Sequence, residues 1–197
     1  EGAGKSTQAA RLAERLRALG RTAVTTREPG GSPGAEAISD LLVHGDADRW
    51  SARAETLLMY AARHDHVERV IAPALARGEV VVCDRFADST RAYQGAGGGA
   101  NAALIEALEA DMRRTFWPNL TLVFDIDPAS GLARASGRAG AETRFEAKGL
   151  AFHGRLRAAF LAIASGEPDR CRLIDAAETP DAVEAAVWRA VGERLAI

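Results

Sequence analysis

The stretch "EGAGKSTQ", Glu1 to Gln8, decides the fold. It carries the end of the phosphate-loop pattern G-x-x-x-x-G-K-[ST], with Gly4, Lys5 and Ser6 closing a motif whose first glycine would precede Glu1. Gly2, Ala3, Gly4 and Thr7 complete a backbone cradle whose N–H groups face phosphate oxygens, while Lys5 reaches the β and γ phosphates of a nucleotide. The Ser6 hydroxyl is a ligand for Mg²⁺. The plainer reading of the same residues is a glycine turn before an ordinary helix. Ala9, Leu12, Leu16 and Leu19 make one apolar stripe behind the loop, and Gly20 supplies the stop, so a helix follows on either reading.

Outward from this loop, four β-branched runs recur: "TAVTT" (22–26), "EVVVCD" (79–84), "LTLVFDI" (120–126) and "CRLID" (171–175). Helical patterns lie between them, at 34–43, 51–77, 101–115, 128–136, 142–165 and 179–196. Apolar strands alternating with helices predict an α/β fold with a parallel sheet covered on both faces. A phosphate loop follows a buried strand, so the expectation is a P-loop NTPase with a five-stranded sheet whose first strand lies upstream of Glu1. Residues 1–197 read as one domain. The glycine cluster "QGAGGGAN" (94–101) nearly matches a dinucleotide fingerprint, but it follows a polar segment and reads as a loop.

Composition narrows the partners. With 25 Lys and Arg against 27 Asp and Glu, the chain lacks the basic excess of a general nucleic-acid binder. No apolar run approaches the roughly 20 residues that span a bilayer. Cys83 and Cys171 each sit within an apolar run and read as small core residues of a protein in a reducing, cytoplasmic setting. His44, His64, His66 and His153 have no metal-ligand company and read as surface or packing residues.

Two further stretches carry chemistry. "VVVCDR" delivers Asp84 and Arg85 to the carboxyl end of a strand, where an acid can hold Mg²⁺ and an arginine can clamp a phosphate. "TREPGG" (26–31) ends the first strand in a tight turn and sets Arg27 on the same sheet edge as Asp84.

Taken together, "EGAGKSTQ", "TREPGGSPGAEAI", "LLMYAARHDHVERVIAPAL", "VVVCDRFADSTRAYQGAG", "FDIDPASGLAR" and "LIDA" resemble bacterial thymidylate kinases in order and spacing over essentially the whole chain. The resemblance implies phosphorylation of dTMP to dTDP by ATP with Mg²⁺, on a five-stranded P-loop fold, as a homodimer. It implies that Glu1 approaches the acceptor sugar's 3′-hydroxyl, and that Arg85 and Arg27 contact the acceptor phosphate. It further implies that Arg63 reads a thymine carbonyl, that Thr90 meets the imide edge, that Tyr93 crowds the 2′ position, and that Gln94 is a substrate contact beside them. Met59 stands where the family stacks an aromatic ring on the base, with Tyr60 as an alternative pointing elsewhere, and Ser39 stands where relatives carry arginine. A lid at about 134–150 would bring Arg134, Arg138 and Arg144 to ATP, because the loop itself has no arginine. The rival readings are a P-loop kinase for another nucleoside monophosphate and a nucleotide-binding module without turnover. The segment from Arg53 to Leu75 is the expected dimer surface, with Leu57 and Val67 on its apolar stripe.

Overall fold

The computed structural model describes residues 1–46, 48–136 and 148–195. The phosphate-loop residues run directly into helix α1 (Lys5–Ala18), with Gly4 at its N-cap in the left-handed region, φ 77°. No side chain caps that terminus, so its first-turn N–H groups are not taken up by a capping residue. Ala13 and Leu16 are buried against Ala23 and the strands. Leu19, expected on the apolar stripe, lies beyond the last helical residue and is exposed, because the chain has turned at Gly20 with φ 77°.

Strand β1 (Ala23–Arg27) leads through the Glu28–Pro29 turn, whose peptide bond is cis, to α2 (Pro33–Val43). Ser32 caps α2 and also donates to Asp65 at 2.6 Å, which ties α2 to α3 (Ala52–His66). Helix α3 continues through a wider, π-helical turn (Val67–Ile71) into α4 (Ala72–Ala76). Strand β2 (Val80–Asp84) follows, then the short α5 (Ala87–Thr90), a second π-helical stretch (Arg91–Gly97) and α6 (Ala102–Arg113). The second half contains β3 (Thr121–Asp125), α7 (Pro128–Ser136), α8 (Gly149–Gly166), β4 (Cys171–Asp175) and α9 (Pro180–Leu195).

Among the described residues the strands and helices expected from periodicity are present, with one correction; the start of the helix expected over 142–165 lies outside those residues. Arg91–Gly97 is helical, although residues from Gln94 onward read as loop, and the irregular part begins after it. Ala92 and Tyr93 are drawn into a cluster with Phe152 and Leu156 of α8, and that packing overrides a polar, glycine-rich sequence.

Two parallel pairs form, β1 with β2 and β3 with β4. Arg27 lies opposite Asp84, and Asp125 opposite Asp175, so an aspartate closes the carboxyl end of β2, β3 and β4. Among the described residues β2 and β3 have no strand on their facing edges. Between them runs a cleft of about 490 Å³ lined by Val80, Val82, Leu122 and Phe124, with Leu12 of α1 and Val187 of α9 alongside. Every residue of β2 is only half-buried, unusual for an all-apolar run such as Val80, Val81 and Val82. Cys83 and Cys171 are free thiols; Cys171 is buried, and burial pushes both upward from the ordinary thiol value. Among the described residues no helix is long and apolar enough to cross a membrane.

Candidate active site

Above the carboxyl end of β2 the phosphate loop meets the Asp-Arg pair. The Ser6 hydroxyl donates to Asp84 Oδ2 at 2.5 Å, while Asp84 Oδ1 is buried with no hydrogen-bond partner. A buried carboxylate oxygen left unmatched beside a serine hydroxyl fits a small, hard cation with a preference for oxygen ligands. Gly2 is pressed against Gly131 at the start of α7: with φ 64°, an added Cβ would stand 1.9 Å from the Gly131 carbonyl oxygen.

Arg85 follows Asp84 with φ 71°, the only non-glycine residue in the left-handed region among those described. Such a conformation costs about 1 to 3 kcal/mol and persists where surrounding contacts impose it. Here the Cys83 thiol donates to the Arg85 carbonyl at 3.0 Å, and the guanidinium donates to Tyr93 Oη at 3.1 Å and to Glu1 Oε1 at 3.0 Å. The Tyr93 hydroxyl donates to the same Glu1 oxygen. Burial pushes the Glu1 carboxyl up, but Arg85, Lys5 and the Tyr93 hydroxyl hold it below the ordinary carboxylate range.

Behind Arg85 lies a second, smaller cavity lined by Met59, Arg63, Thr90, Tyr93 and Gln94, and Arg85 borders both. Arg63, on the last turn of α3, is almost wholly buried. Its Nε donates to Glu28 Oε2 at 2.7 Å and its Nη2 to Thr90 Oγ1 at 3.1 Å, but its Nη1 is buried with no partner. The guanidinium lies 4.7 Å from the Tyr60 ring centre and 5.2 Å from that of Phe86. Tyr60 therefore packs under Arg63 and leaves Met59 as the side chain facing the cavity. Gln94 donates to Glu55 at 2.8 Å, both of them buried.

Glu1, Ala3, Lys5, Asp84, Arg85, Arg63, Thr90, Tyr93, Gln94 and Met59 line one or other of these cavities, and Ser6 joins them through Asp84; Gly2, Gly4 and Thr7 line neither. Arg27 shares the Asp84 edge, as expected, yet its guanidinium faces outward and pairs with Glu36 at 2.8 Å. Arg134 donates to the Ala176 and Ala177 carbonyls at 2.8 and 3.2 Å, pinning α7 to the turn after β4. Arg138 and Arg144, with most of the expected lid, fall outside the described residues. Ser39 is buried on α2.

Two residues escape a reading of the sequence. His66 is fully buried, with Nε2 2.7 Å from Thr26 Oγ1 and Nδ1 3.3 Å from Glu28 Oε1. Its spacing from Arg63, one helical turn on, is the available signal. Glu28 is hidden because a charged residue before Pro-Gly-Gly reads as solvated turn.

A family model described as thymidylate kinase matches residues 1–187. The chain belongs to the thymidylate kinase family. It is 64% identical to a thymidylate kinase of Caulobacter vibrioides over 197 residues, covering all of this chain and 94% of that one. It is 54% identical to a thymidylate kinase of Jannaschia sp. over 196 residues, with the same two coverages. Among solved structures, the thymidylate kinase of Ehrlichia chaffeensis aligns over 97% of this chain and 94% of its own, at 31% identity and a TM-score of 0.78.

Proposed function

We propose that the chain transfers the γ-phosphoryl group of ATP to the phosphate of dTMP, giving dTDP and ADP in the supply of dTTP. The observation that carries this reading is the position of Arg85. Its guanidinium bonds Glu1 of the phosphate loop and lines the Arg63 cavity, so one side chain can clamp an acceptor phosphate beside the donor's γ-phosphate. The attacking group is a phosphate oxygen, ionised near neutral pH given a second pKa of about 6, so no strong general base is needed. Lys5 and the α1 N-terminus bind and orient the donor phosphates, and Arg85 aligns the acceptor. Ser6 and Asp84 would hold Mg²⁺, which would supply neutralisation of phosphate charge.

On the acceptor side, the unpartnered Nη1 of Arg63 is suited to a base carbonyl, because leaving such a donor unmatched costs about 1 to 3 kcal/mol. Thr90 and Gln94 border the same cavity, Met59 covers the base face, and the Tyr93 ring crowds the sugar. Glu1 sits within reach of the sugar hydroxyl side, anchored by Arg85 and Tyr93. Arg27 and the lid arginines Arg134, Arg138 and Arg144 belong to this reading as phosphate contacts made on closure.

The reading includes a single kinase domain over 1–197 with a lid at about 134–150, acting in the cytoplasm as a homodimer. Leu57, 45% exposed on α3, supports the helix as a pairing surface, whereas Val67 is enclosed in the core with Phe86 and Met112 and is not part of one. It also includes a fifth strand in the cleft between β2 and β3, supported by the two unpaired strand edges and the half-buried valines. Turnover of ATP with dTMP, dUMP, dCMP, AMP, GMP and UMP in parallel tests the function. Rapid turnover with dTMP, weaker with dUMP and negligible with the rest, is the expected result; another preferred acceptor would overturn the assignment of Arg63, Thr90 and Tyr93.

A further inference from the structure

A buried chain of hydrogen bonds stands behind Arg63. Glu28 Oε2 accepts from Arg63 Nε at 2.7 Å, Glu28 Oε1 faces His66 Nδ1 at 3.3 Å, and His66 Nε2 meets the Thr26 hydroxyl at 2.7 Å. The side chains of Arg63, Glu28 and His66 are 2%, 5% and 0% exposed, so water does not substitute for any of these contacts. A carboxylate only accepts, which assigns the proton of neutral His66 to Nδ1 and leaves Nε2 to accept from Thr26 Oγ1. The direction of each bond is therefore fixed, from Thr26 on β1 through His66 and the turn residue Glu28.

The chain is anchored at both ends. The Glu28 backbone N–H donates to the Asp84 carbonyl at 2.9 Å, which extends the β1 to β2 ladder one residue past β1 and ties Glu28 to the strand bearing Asp84 and Arg85. Gly31, with φ 92°, lies over the His66 to Thr26 bond, where an added Cβ would stand 2.4 Å from His66 Nε2 and 2.6 Å from Thr26 Oγ1. The Pro-Gly-Gly turn thus closes over the imidazole. Arg63 has five N–H donors in a rigid fork; fixing Nε on Glu28 and Nη2 on Thr90 leaves one orientation, in which Nη1 is the donor without a partner.

We propose that Glu28 is a positioning residue for the acceptor base, aiming the Arg63 fork into the cavity while His66 and Thr26 hold its carboxylate in place. The inference rests on the reading of Arg63 as a base contact. The second carboxylate oxygen is tethered through His66 on α3 back to Thr26 on β1, so both oxygens of Glu28 are held.

The test compares Glu28→Gln, His66→Leu, His66→Asn, Thr26→Val and Arg63→Ala in the full chain. Steady-state kinetics give KM separately for dTMP and ATP, and NMR follows solvent exchange of the Arg63 Nε–H. Glu28→Gln and His66→Leu are expected to raise the dTMP KM about tenfold with the ATP KM unchanged, and to speed exchange of that proton. His66→Asn, whose amide N–H can replace Nδ1–H, restores most of the loss. Should His66→Leu not fold, Thr26→Val loosens the same chain from its far end and is expected to raise the dTMP KM severalfold. Equal changes in both KM values, or an Arg63 Nε–H still protected in Glu28→Gln, would overturn the positioning role. If Arg63→Ala leaves the dTMP KM untouched, the base-contact reading fails instead, and the proposal with it.

Discussion

Arg85 concentrates the site's chemistry in a residue whose backbone is itself unfavourable. Its left-handed φ of 71° suits glycine, so Arg85→Gly and Arg85→Ala separate two effects that either variant alone confounds. Both lose the guanidinium and are expected to lose nearly all turnover. The glycine variant is expected to be more stable than the alanine variant by about 1 kcal/mol in denaturant unfolding; equal stabilities would show that the conformation carries no strain. At Tyr93 the two parts of the side chain also divide. The ring packs edge-on to Phe152 and Phe160, while the hydroxyl bridges Arg85 and Glu1. Tyr93→Phe should keep its melting temperature within a few degrees and lower kcat about tenfold, since only the groups that hold Glu1 and Arg85 in register are disturbed. The meeting of the "GAGKST" loop with the end of "VVVCDR", seen in the bond of Ser6 to Asp84, is legible in the amino-acid sequence, because loop and strand end converge by topology. The conformation of Arg85 is not legible there: only β-branching, proline or glycine declares a backbone angle in a sequence, and arginine declares none.

Among the elements, the segment from α5 through the π-helical stretch Arg91–Gly97 carries Thr90, Tyr93 and Gln94, and its position is set by charge as much as by packing. Asp88, buried on α5, accepts two bonds from Arg170 at 2.7 and 2.9 Å, while Arg91 bonds Asp88 and Glu167. Arg170 also donates to Glu167 at 2.9 Å. Burial pushes Glu167 up, but its bonds to Arg170 and Arg91 prevail and bring it down to about 2 from an ordinary value of 4.5. Because the folded value is the lower one, the stabilisation is fully present above about pH 4.5 and is lost as pH falls toward about 2. Glu167→Gln should thus melt below the parent protein at pH 7, with the gap closing between pH 4.5 and 2 in thermal melts; a gap independent of pH would exclude the ionised carboxylate as its source. This cluster also explains which elements are legible in the sequence. Helices α1 and α6 and the four described strands carry their own periodicity or β-branched run. Arg91–Gly97 carries neither, and it becomes helical through the partners supplied by α8 and by the turn before β4. The base-side residues are placed by resemblance, and Glu28 and His66 escape notice because their partners lie more than thirty residues away.

For the molecule as a whole, the open question of architecture is the cleft between β2 and β3. A parallel strand lies about 4.8 Å from each neighbour, so one strand filling this space would join both pairs into a single sheet. It would also cover Val80, Val82, Leu122 and Phe124, which now line the cleft. A chain extended upstream of Glu1 by one strand's length, about six residues, is expected to melt at least about 5 °C higher and to protect the β2 amides from hydrogen exchange. Unchanged melting with unprotected β2 amides would place that segment elsewhere. The same comparison should be made for turnover, since the strand would lead directly into the loop that holds the donor phosphates.

The bond between Glu1 and Arg85 has a consequence for traffic through the site. Glu1 bonds the guanidinium that the proposed function gives to an acceptor phosphate, and Tyr93 stands on the same oxygen. Arrival of substrate is therefore an exchange of anions, and an entering ion must compete with a tethered one. Chloride and other weakly coordinating monoanions compete poorly with a carboxylate fixed at hydrogen-bonding distance, whereas a phosphate monoester brings two charges and several acceptor oxygens. On that reading, Glu1 would filter the salts of its surroundings, keeping the arginine reserved in a solution crowded with simpler ions.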